Sequence, residues 1–283
     1  MSSKLLSHRK ALCNQVSRIA VEAGAIILEY FDGIREMSAS EKSDGSPVTC
    51  ADQAGEKYIQ EKLKALCPEV PFIGEESYAN GAIEDIALSD YFWLVDPLDG
   101  TKSFLRGESE FTVNIALIYK HVPVMGVIYV PEKGELYKGF TEESGATEAT
   151  RYFEDSDKEK SLQLRSMKKE GLLVVTGGDH KTRDSYEEVL GAFKIAGIKK
   201  QLSSLKFCTV ADAKADLYLR LGPICEWDIA AGHAILKASG GDVRDLSGNS
   251  LTYGHENKSF YTPHFIAASE EFFVLRQQAE QIE

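Results

Sequence analysis

The sequence lacks a Cys-x-x-Cys pair, a long apolar run and an excess of positive charge. Its five cysteines are an odd number at no metal-binding spacing, so neither a disulfide framework nor a thiolate zinc site is indicated. Reduced, mostly buried thiols are expected instead. The first residues lack the apolar core of a signal peptide, and no stretch approaches the roughly 18 apolar residues of a membrane span. We therefore expect a cytoplasmic protein, with peripheral membrane association left open.

Basic residues are too few to balance the acidic ones. Lys and Arg total 32 against 44 Asp and Glu, which gives the 283 residues a net charge of −12. Nucleic-acid polymers and anionic lipid surfaces both select basic faces, so neither is expected as a partner. The charge does not argue against a small polyanionic substrate, because bound cations set the local sign. The 43% apolar content is ordinary for a globular protein with a sizeable core.

The first part of the chain, residues 1–160, is predicted to be an α+β domain. Apolar residues recur on one helical face from Leu12 to Tyr30, with a stop expected at Gly33. A second helix is expected from near Asp52 to Pro68. Closely spaced β-branched and aromatic runs then predict an antiparallel meander: PFIG, YFWLV, FTVNIALIY, VMGVIYV and ELYKGF.

The second part, residues 161–283, is predicted to be an α/β domain. The charged stretch 141–170 is interpreted as the passage between domains, with an exposed excursion. Beyond it, LLVVT, LYLRLG and FIAAS are predicted strands. The predicted helices are YEEVLGAFKIAGI, SLKFCTVADAKA, WDIAAGHAILKASGG and EEFFVLRQQAEQI. This alternation indicates α/β layering.

Two aspartates at the end of an apolar strand, in YFWLVDPLDGTKSF, are the most informative chemical feature. Pro97 constrains the turn and keeps Asp96 and Asp99 close together. Gly100 allows a ligand near the backbone, and Thr101 can begin a helix whose free N–H groups cradle a phosphate. Carboxylates beside such a cradle suit an anion only with cations between them, usually Mg²⁺. The alternative is that Asp-Pro and Asp-Gly only mark a turn.

Other acidic residues follow the same pattern. Glu75 and Glu76 follow a predicted strand, Asp52 follows a Ser/Thr-rich loop, and Asp228 begins a helix of small residues. Each has a plainer interpretation, because exposed turn glutamates are common and Asp is a frequent helix N-cap. Together with the strand-end aspartates, they indicate one carboxylate-rich site.

The segments SPVTCAD, GEES, DPLDGT and EWDIAAG, in this order, resemble the lithium-sensitive, magnesium-dependent phosphomonoesterase superfamily, which includes inositol monophosphatase and fructose-1,6-bisphosphatase. A finer resemblance, to the CysQ-type 3'(2'),5'-bisphosphate nucleotidases, rests on EFTVNIALI, SSLKFCTVADAKADLYLR and EWDIAAGHAIL. It extends over nearly the whole chain. It implies an α+β fold built as a layered αβαβα sandwich, with the site between the two halves.

The resemblance also implies roles for individual residues. Asp52 and Thr101 would orient and deprotonate the attacking water, and the amides of Gly100 and Thr101 would hold the phosphate. The first glutamate of the pair matches the ligand position, so it is chosen over Glu76. The implied ligands of two or three Mg²⁺ ions are Glu75, Asp96, the Leu98 carbonyl, Asp99 and Asp228.

The candidate substrate contacts are His180, Ser204, Lys206 and Arg220. The family's Ser-x-Ser-His-like stretch is Gly-Gly-Asp-His here, and Leu202 stands where the family has Gly. His180 could be only a polar loop residue, Lys206 could lie on a solvated helix face, and Arg220 could pair with an acidic neighbour. Three bulky ring residues are expected in the core: Trp93, Trp227 and His233.

The expected activity is Mg²⁺-dependent removal of the 3'-phosphate of adenosine 3',5'-bisphosphate, giving AMP and phosphate by direct attack of water. The resemblance adds inhibition by sub-millimolar Li⁺. An inositol or sugar monophosphatase is the alternative within the superfamily. An inactive protein that senses nucleotides or metals is the alternative from another class. The expected partner is a small phosphorylated nucleotide, and the chain is expected to be a monomer or homodimer.

Overall fold

A computed structural model of the chain describes residues 2–38, 46–87, 89–167, 171–177, 181–254 and 259–281. Its larger sheet has seven strands in chain order, with the first pair parallel and the others antiparallel. The strands are β1 (Phe72–Gly74), β2 (Tyr91–Asp99), β3 (Thr112–Tyr119), β4 (Val122–Val130), β5 (Glu135–Thr141), β6 (Thr147–Phe153) and β7 (Lys158–Ser161).

A second sheet follows, in the order β12-β14-β10-β8-β9. Strands β10, β8 and β9 are parallel to one another, and β14 is antiparallel to both β10 and β12. The strands are β8 (Leu172–Thr176), β9 (Ile195–Lys200), β10 (Leu217–Arg220), β12 (Gly241–Asp245) and β14 (Phe265–Ser269). A separate two-stranded ribbon consists of β11 (Ile224–Cys225) and β13 (Tyr261–Thr262).

The helices lie on both sides of each sheet. They are α1 (Ser2–Ser7), α2 (Arg9–Ser38), α3 (Ser46–Leu66), α4 (Glu75–Ala79), α5 (Thr101–Leu105), α6 (Arg183–Leu190), α7 (Leu205–Ala211), α8 (Ala230–Ala238) and α9 (Glu270–Glu280). Short 3₁₀ turns span Pro131–Lys133, Glu154–Ser156 and Glu226–Asp228.

Three apolar clusters define five layers. The first cluster packs α2 and α3 on one face of the larger sheet, and the second packs α7 and α8 between the two sheets. The third packs α6 and α9 on the outer face of the smaller sheet. Strand β2 contributes to both sides of its sheet, because Trp93 belongs to the first cluster and its neighbours Phe92 and Leu94 to the second. The predicted α+β class and layered αβαβα sandwich are confirmed.

The prediction for residues 141–170 was wrong. Strands β6 and β7 extend the larger sheet through this stretch, although it was interpreted as an exposed passage between domains. All four residues of β7 are exposed and three are charged, as expected of an edge strand, so an apolar strand pattern is missing. The larger sheet ends at Ser161, and a shared apolar cluster joins it to α7 and α8. The division near residue 160 stays a proposal.

Several helix bounds also differ from the predictions. Helix α2 continues through Gly33, since one interior glycine costs a helix only about 1 kcal/mol. Helix α3 begins at Ser46 rather than near Asp52, with Pro47 in the first turn, where a missing N–H is tolerated. The IAGI segment, predicted to be helical, lies in the edge strand β9, and α6 ends at Leu190.

Helix α2 also qualifies the prediction about membrane spans. Residues Arg9–Gly33 reach a mean hydropathy of 1.3, so by length and composition alone they could cross a membrane. Half of that window is buried inside the protein, as in the core helix of a globular protein. The prediction that no stretch approaches a membrane span was therefore too strong, but the helix is weak evidence for a membrane.

The side chains predicted to be structural behave as expected. Trp93 and Trp227 are buried. His233 is buried too, with its Nδ1 2.8 Å from the Tyr253 hydroxyl and its Nε2 2.8 Å from Asp242. All five cysteines are unpaired, and three of them are buried.

Candidate metal and phosphate site

Three carboxylates from different parts of the chain meet beside the end of β2. Oxygen atoms of Glu75, Asp96 and Asp228 all lie within 4.8 Å of one another. Asp96 is buried, and the other two are partly exposed. Glu75 begins α4, and Asp228 ends the 3₁₀ turn that precedes α8. Of the two neighbouring glutamates, Glu75 and not Glu76 belongs to this cluster, which we call the carboxylate triad.

The end of β2 is irregular, and this irregularity orients its two aspartates. The β2–β3 register shifts between Asp96 and Asp99, at the segment that contains Pro97. The Asp96 carboxylate accepts a hydrogen bond of 2.9 Å from the Leu98 N–H, and the Thr101 hydroxyl is 3.4 Å from the Leu98 carbonyl oxygen. The bulge thus brings all three predicted ligands of this loop to one end of the sheet.

Helix α5 begins directly after this loop. Its first residue is Thr101, and Gly100 precedes it with a φ of 101°. A Cβ atom on Gly100 would lie 2.5 Å from the Glu110 carbonyl oxygen. The predicted phosphate-binding amides therefore lie at the first turn of a helix, where N–H groups have no intrahelical partner.

Replacing Gly100 with Ala is expected to lower both activity and stability, because the added Cβ meets backbone and the positive φ disfavours any side chain. We expect at least a 10-fold loss of kcat/KM in a phosphate-release assay and about 2 kcal/mol lower free energy of unfolding. Gly145 is the matched control, since its φ is 86° but a Cβ there would meet nothing within 4 Å. Equal activity losses in Gly100→Ala and Gly145→Ala would contradict the expectation.

Asp52, which is on helix α3, lies close to the triad. It belongs to the second turn of α3 and is buried, so it is not the helix N-cap that was the alternative interpretation. Helix α3 reaches the β2 loop, since a Cβ on Gly55 would lie 3.4 Å from Pro97. Burial and the nearby charge of Glu75 raise the pKa of Asp52 to about 8.

The crowding of carboxylates raises the pKa of every triad member. Burial is the largest cause for each, and the neighbouring carboxylates add to it. The pKa of Glu75 is raised to about 7, and those of Asp96 and Asp228 lie well above the usual range. Within the described residues, no Lys or Arg forms an ion pair with the triad.

This donor set fits divalent magnesium. Mg²⁺ prefers hard oxygen ligands, and it commonly uses one or two carboxylates together with water and phosphate oxygens. Three buried or half-buried carboxylates whose pKa values are raised by burial are stabilised in their ionised form by a bound cation. The site therefore has the chemistry of a cation site.

Asp99 has different surroundings from the triad. Its pKa is raised by burial. The nearby positive charge of Lys206 and a hydrogen bond donated by the Ser204 backbone N–H both oppose that shift. The charge of Arg220 opposes it as well. Asp99 and the triad member Asp228 both interact electrostatically with Lys206.

The predicted substrate contacts lie in different environments. Lys206 is buried, donates to the Ser203 carbonyl and lies 5.3 Å from the centre of the Tyr218 ring. It is therefore not on a solvated helix face, which was the alternative for it. Arg220 is partly exposed at the end of β10 and donates to the carbonyls of Gly222 and Pro223.

Ser204 is not brought to an open position. The Ser204 hydroxyl is buried, donating to Asn114 Oδ1 at 2.7 Å and lying 2.8 Å from the Thr112 hydroxyl. A direct substrate contact would have to replace these bonds, so for Ser204 it stays a prediction. His180 lies outside the described residues.

Residues 9–278 of this chain match the inositol monophosphatase family. The chain belongs to this family. The family is metal-dependent, generally with Mg²⁺. The predicted superfamily and the finer likeness to CysQ-type nucleotidases are confirmed by relatives of known activity and by solved structures.

Two similar relatives are the 3'(2'),5'-bisphosphate nucleotidases CysQ of Escherichia coli K12 and Salmonella typhimurium LT2. They are 38% and 40% identical over 256 residues, which cover 90% of this chain and 98% of each relative. Among solved structures, CysQ from Bacteroides thetaiotaomicron is 31% identical with a TM-score of 0.72, covering 95% of this chain and 98% of that one. An inositol monophosphatase from Anabaena is 25% identical with a TM-score of 0.71, covering 97% of both chains.

The sequence analysis of this family member missed several residues that support the site. Glu56 lies one helical turn after Asp52, and that spacing alone would have placed both on one face of α3. Asn114 interrupts an apolar strand and pairs in register with Asp96. Glu110 accepts a 3.0 Å hydrogen bond from the Leu202 N–H, a contact that no local pattern indicates.

Proposed function

We propose that this chain is a Mg²⁺-dependent phosphomonoesterase that converts adenosine 3',5'-bisphosphate to AMP and phosphate. The convergence of Glu75, Asp96 and Asp228 at the strand end that leads into the Gly100–Thr101 turn carries this proposal, because carboxylates that bind a cation and free N–H groups both suit a phosphate. The nucleotidase relatives give the substrate class. The activity is that of a phosphoric monoester hydrolase.

The residues around the turn divide the work of hydrolysis. The triad, Asp99 and the Leu98 carbonyl would hold two or three Mg²⁺ ions. Bound Mg²⁺ supplies positive charge to the phosphate and makes water a stronger nucleophile near neutral pH. The Asp52 carboxylate would accept the proton of the attacking water, and the Thr101 hydroxyl would orient that water. The amides of Gly100 and Thr101 would hold the phosphate oxygens.

The basic side chains near Asp99 favour a substrate with a second phosphate. Lys206 and Arg220 both act electrostatically on Asp99, so a positive region adjoins the carboxylates. We propose that Arg220, which is partly exposed, contacts the second phosphate, and that the buried Lys206 adds charge from beneath it. His180 and Ser204 complete the proposed substrate set.

A phosphate-release panel tests this function. Purified protein is assayed with adenosine 3',5'-bisphosphate and with inositol 1-phosphate, each with and without millimolar Mg²⁺. We expect the nucleotide to have the higher kcat/KM and all turnover to require the metal. A higher kcat/KM for inositol 1-phosphate would assign the chain to the inositol branch. No turnover of either substrate at millimolar Mg²⁺ would favour a binding protein.

We propose that the protein is located in the cytoplasm, together with its small nucleotide substrate. Inhibition by sub-millimolar Li⁺ and a monomeric or dimeric state are further parts of the proposal. Inhibition is measured in the same assay by titrating LiCl against a NaCl control.

A further inference from the structure

Glu56 is a buried carboxylate of α3 that the reaction described above does not use. It is 4% exposed and lies one turn after Asp52. Its Oε2 accepts a hydrogen bond of 2.7 Å from the Glu76 N–H. Its Oε1 accepts one of 2.7 Å from the Ser77 N–H and one of 2.5 Å from the Ser77 hydroxyl. Both oxygens of the carboxylate are therefore bonded to α4.

These bonds take the place of a missing helix cap. Helix α4 begins at Glu75, and Gly74 before it has no side chain to cap the helix. The N–H groups that Glu56 accepts belong to the second and third residues of α4, which are the donors that an N-cap side chain normally satisfies. Glu56 thus caps α4 from a different helix, and the capped helix begins with a member of the triad.

The packing around Gly74 leaves room for this contact. A Cβ atom there would lie 2.4 Å from both Cδ and Oε2 of Glu56. The φ of Gly74 is −113°, a conformation open to any residue, so backbone strain does not explain the glycine. The space it leaves is occupied by the Glu56 carboxylate and by the edge of the Phe72 ring, whose Cε1 would lie 2.7 Å from such a Cβ.

We infer that Glu56 is a positioning residue, which holds Glu75 of α4 in register with Asp52 of α3 by capping α4. The inference rests on the proposed function, because it assumes that Glu75 binds the metal. Hydrogen bonds from N–H groups to a carboxylate are stronger than neutral ones, and Glu56 makes three contacts to one short helix. When a residue that orients a metal ligand through a hydrogen bond is mutated, the metal affinity typically falls about 10- to 100-fold.

The test is the Mg²⁺ affinity of the variant Glu56→Gln. The amide keeps one acceptor oxygen and turns a donor toward an N–H group, so the cap is broken with little change of volume. We expect the half-saturating Mg²⁺ concentration, measured by isothermal titration calorimetry, to rise about 10-fold or more. The matched control is Glu61→Gln, which makes the same change at an exposed position of the same helix.

Three more variants separate positioning from charge and from folding. Glu56→Asp keeps the charge but is one methylene too short, so it should weaken Mg²⁺ binding as Glu56→Gln does. Gly74→Ala should weaken it as well, because its Cβ displaces the carboxylate. Ser77→Ala removes only the hydroxyl contact and should change the half-saturating concentration less than about 3-fold. Cooperative urea unfolding of each variant establishes that it is folded.

The outcomes distinguish this inference from the proposed function. If the wild-type protein shows no Mg²⁺-dependent stabilisation, the metal site itself is wrong, and the positioning role is lost with it. If the wild type responds but Glu56→Gln keeps the same half-saturating Mg²⁺ concentration, only the positioning role is overturned. If Glu56→Gln lowers the unfolding midpoint by the same amount with and without Mg²⁺, Glu56 serves stability alone. Wild-type affinity in Glu56→Asp would show that its charge, not its reach, matters.

Discussion

Replacing Asp96 with Asn is expected to lower kcat/KM of the phosphatase reaction by at least 1000-fold, a loss of about 4 kcal/mol of transition-state stabilisation. Asp96 is the most buried member of the triad, and its carboxylate lies within 4.8 Å of the oxygens of Glu75 and Asp228. Asn has nearly the same shape but is neutral, so the bound cations lose a charged ligand. The measurement is phosphate release from adenosine 3',5'-bisphosphate across a range of Mg²⁺ concentrations.

The matched control is Asp90→Asn, which lies just before β2 and has a side chain that is 64% exposed. Its only salt bridge within the described residues is a surface pair with Lys120, so no loss of activity is expected. The metal-free Asp96→Asn protein should be at least as stable as the wild type, because the change removes a buried charge. Activity within 10-fold of the wild type would contradict the role of Asp96.

Mg²⁺ is expected to stabilise the protein more strongly at pH 8 than at pH 5.5. Without metal, the folded-state pKa values of Asp52 and Glu75 are about 8 and about 7, above the unfolded values of these side chains. Groups with a raised folded pKa support the folded state at low pH, and that support is lost as the pH rises through the folded pKa. The metal-free protein should therefore lose stability between about pH 4 and pH 8 from these two groups.

The size of the effect follows from the shift of one group. Moving the pKa of Glu75 from 4.5 to about 7 corresponds to a loss on the order of 3 kcal/mol once the carboxyl is ionised. Bound Mg²⁺ favours the ionised carboxylates. At pH 8 it therefore removes this loss of stability, whereas at pH 5.5 it must compete with protons for the carboxylates. The measurement is urea unfolding at pH 5.5 and pH 8, in metal-free buffer and with about 5 mM Mg²⁺.

The variant Asp52→Asn checks the assignment, because it removes one titrating group and should flatten the pH dependence of the metal-free protein. Glu22→Gln is a control on another helix, since Glu22 lies away from the triad and bonds to Tyr58. An equal stabilisation by Mg²⁺ at both pH values would contradict the proposed electrostatics of the site.

Secondary structure was predicted correctly where it follows from local sequence order. An apolar strand followed by Asp-Pro-Leu-Asp-Gly-Thr predicts a strand, a turn and a short helix, and the structure has β2, a bulge and α5 in that order. The same local approach failed for β7 and β9, because both are edge strands: all of β7 is exposed, and β9 has only one buried residue. An edge strand forms by pairing with a neighbouring strand from another segment of the chain, so its own residues do not reveal it.

The sequence by itself determined the carboxylate-rich loop and the alternation of helices and strands, since motif order and the period of apolar residues are local properties. The family and its layered sandwich followed from the resemblance that those motifs carry. The tertiary structure decided which carboxylates meet. It brought Glu75, Asp96 and Asp228 together from separate segments of the chain. It also placed Asp99 where the charge of Lys206 acts on it. It also decided that Glu56 caps α4. Hydrogen bonds and electrostatic coupling depend on distance in space, and only packing of the layers fixes those distances.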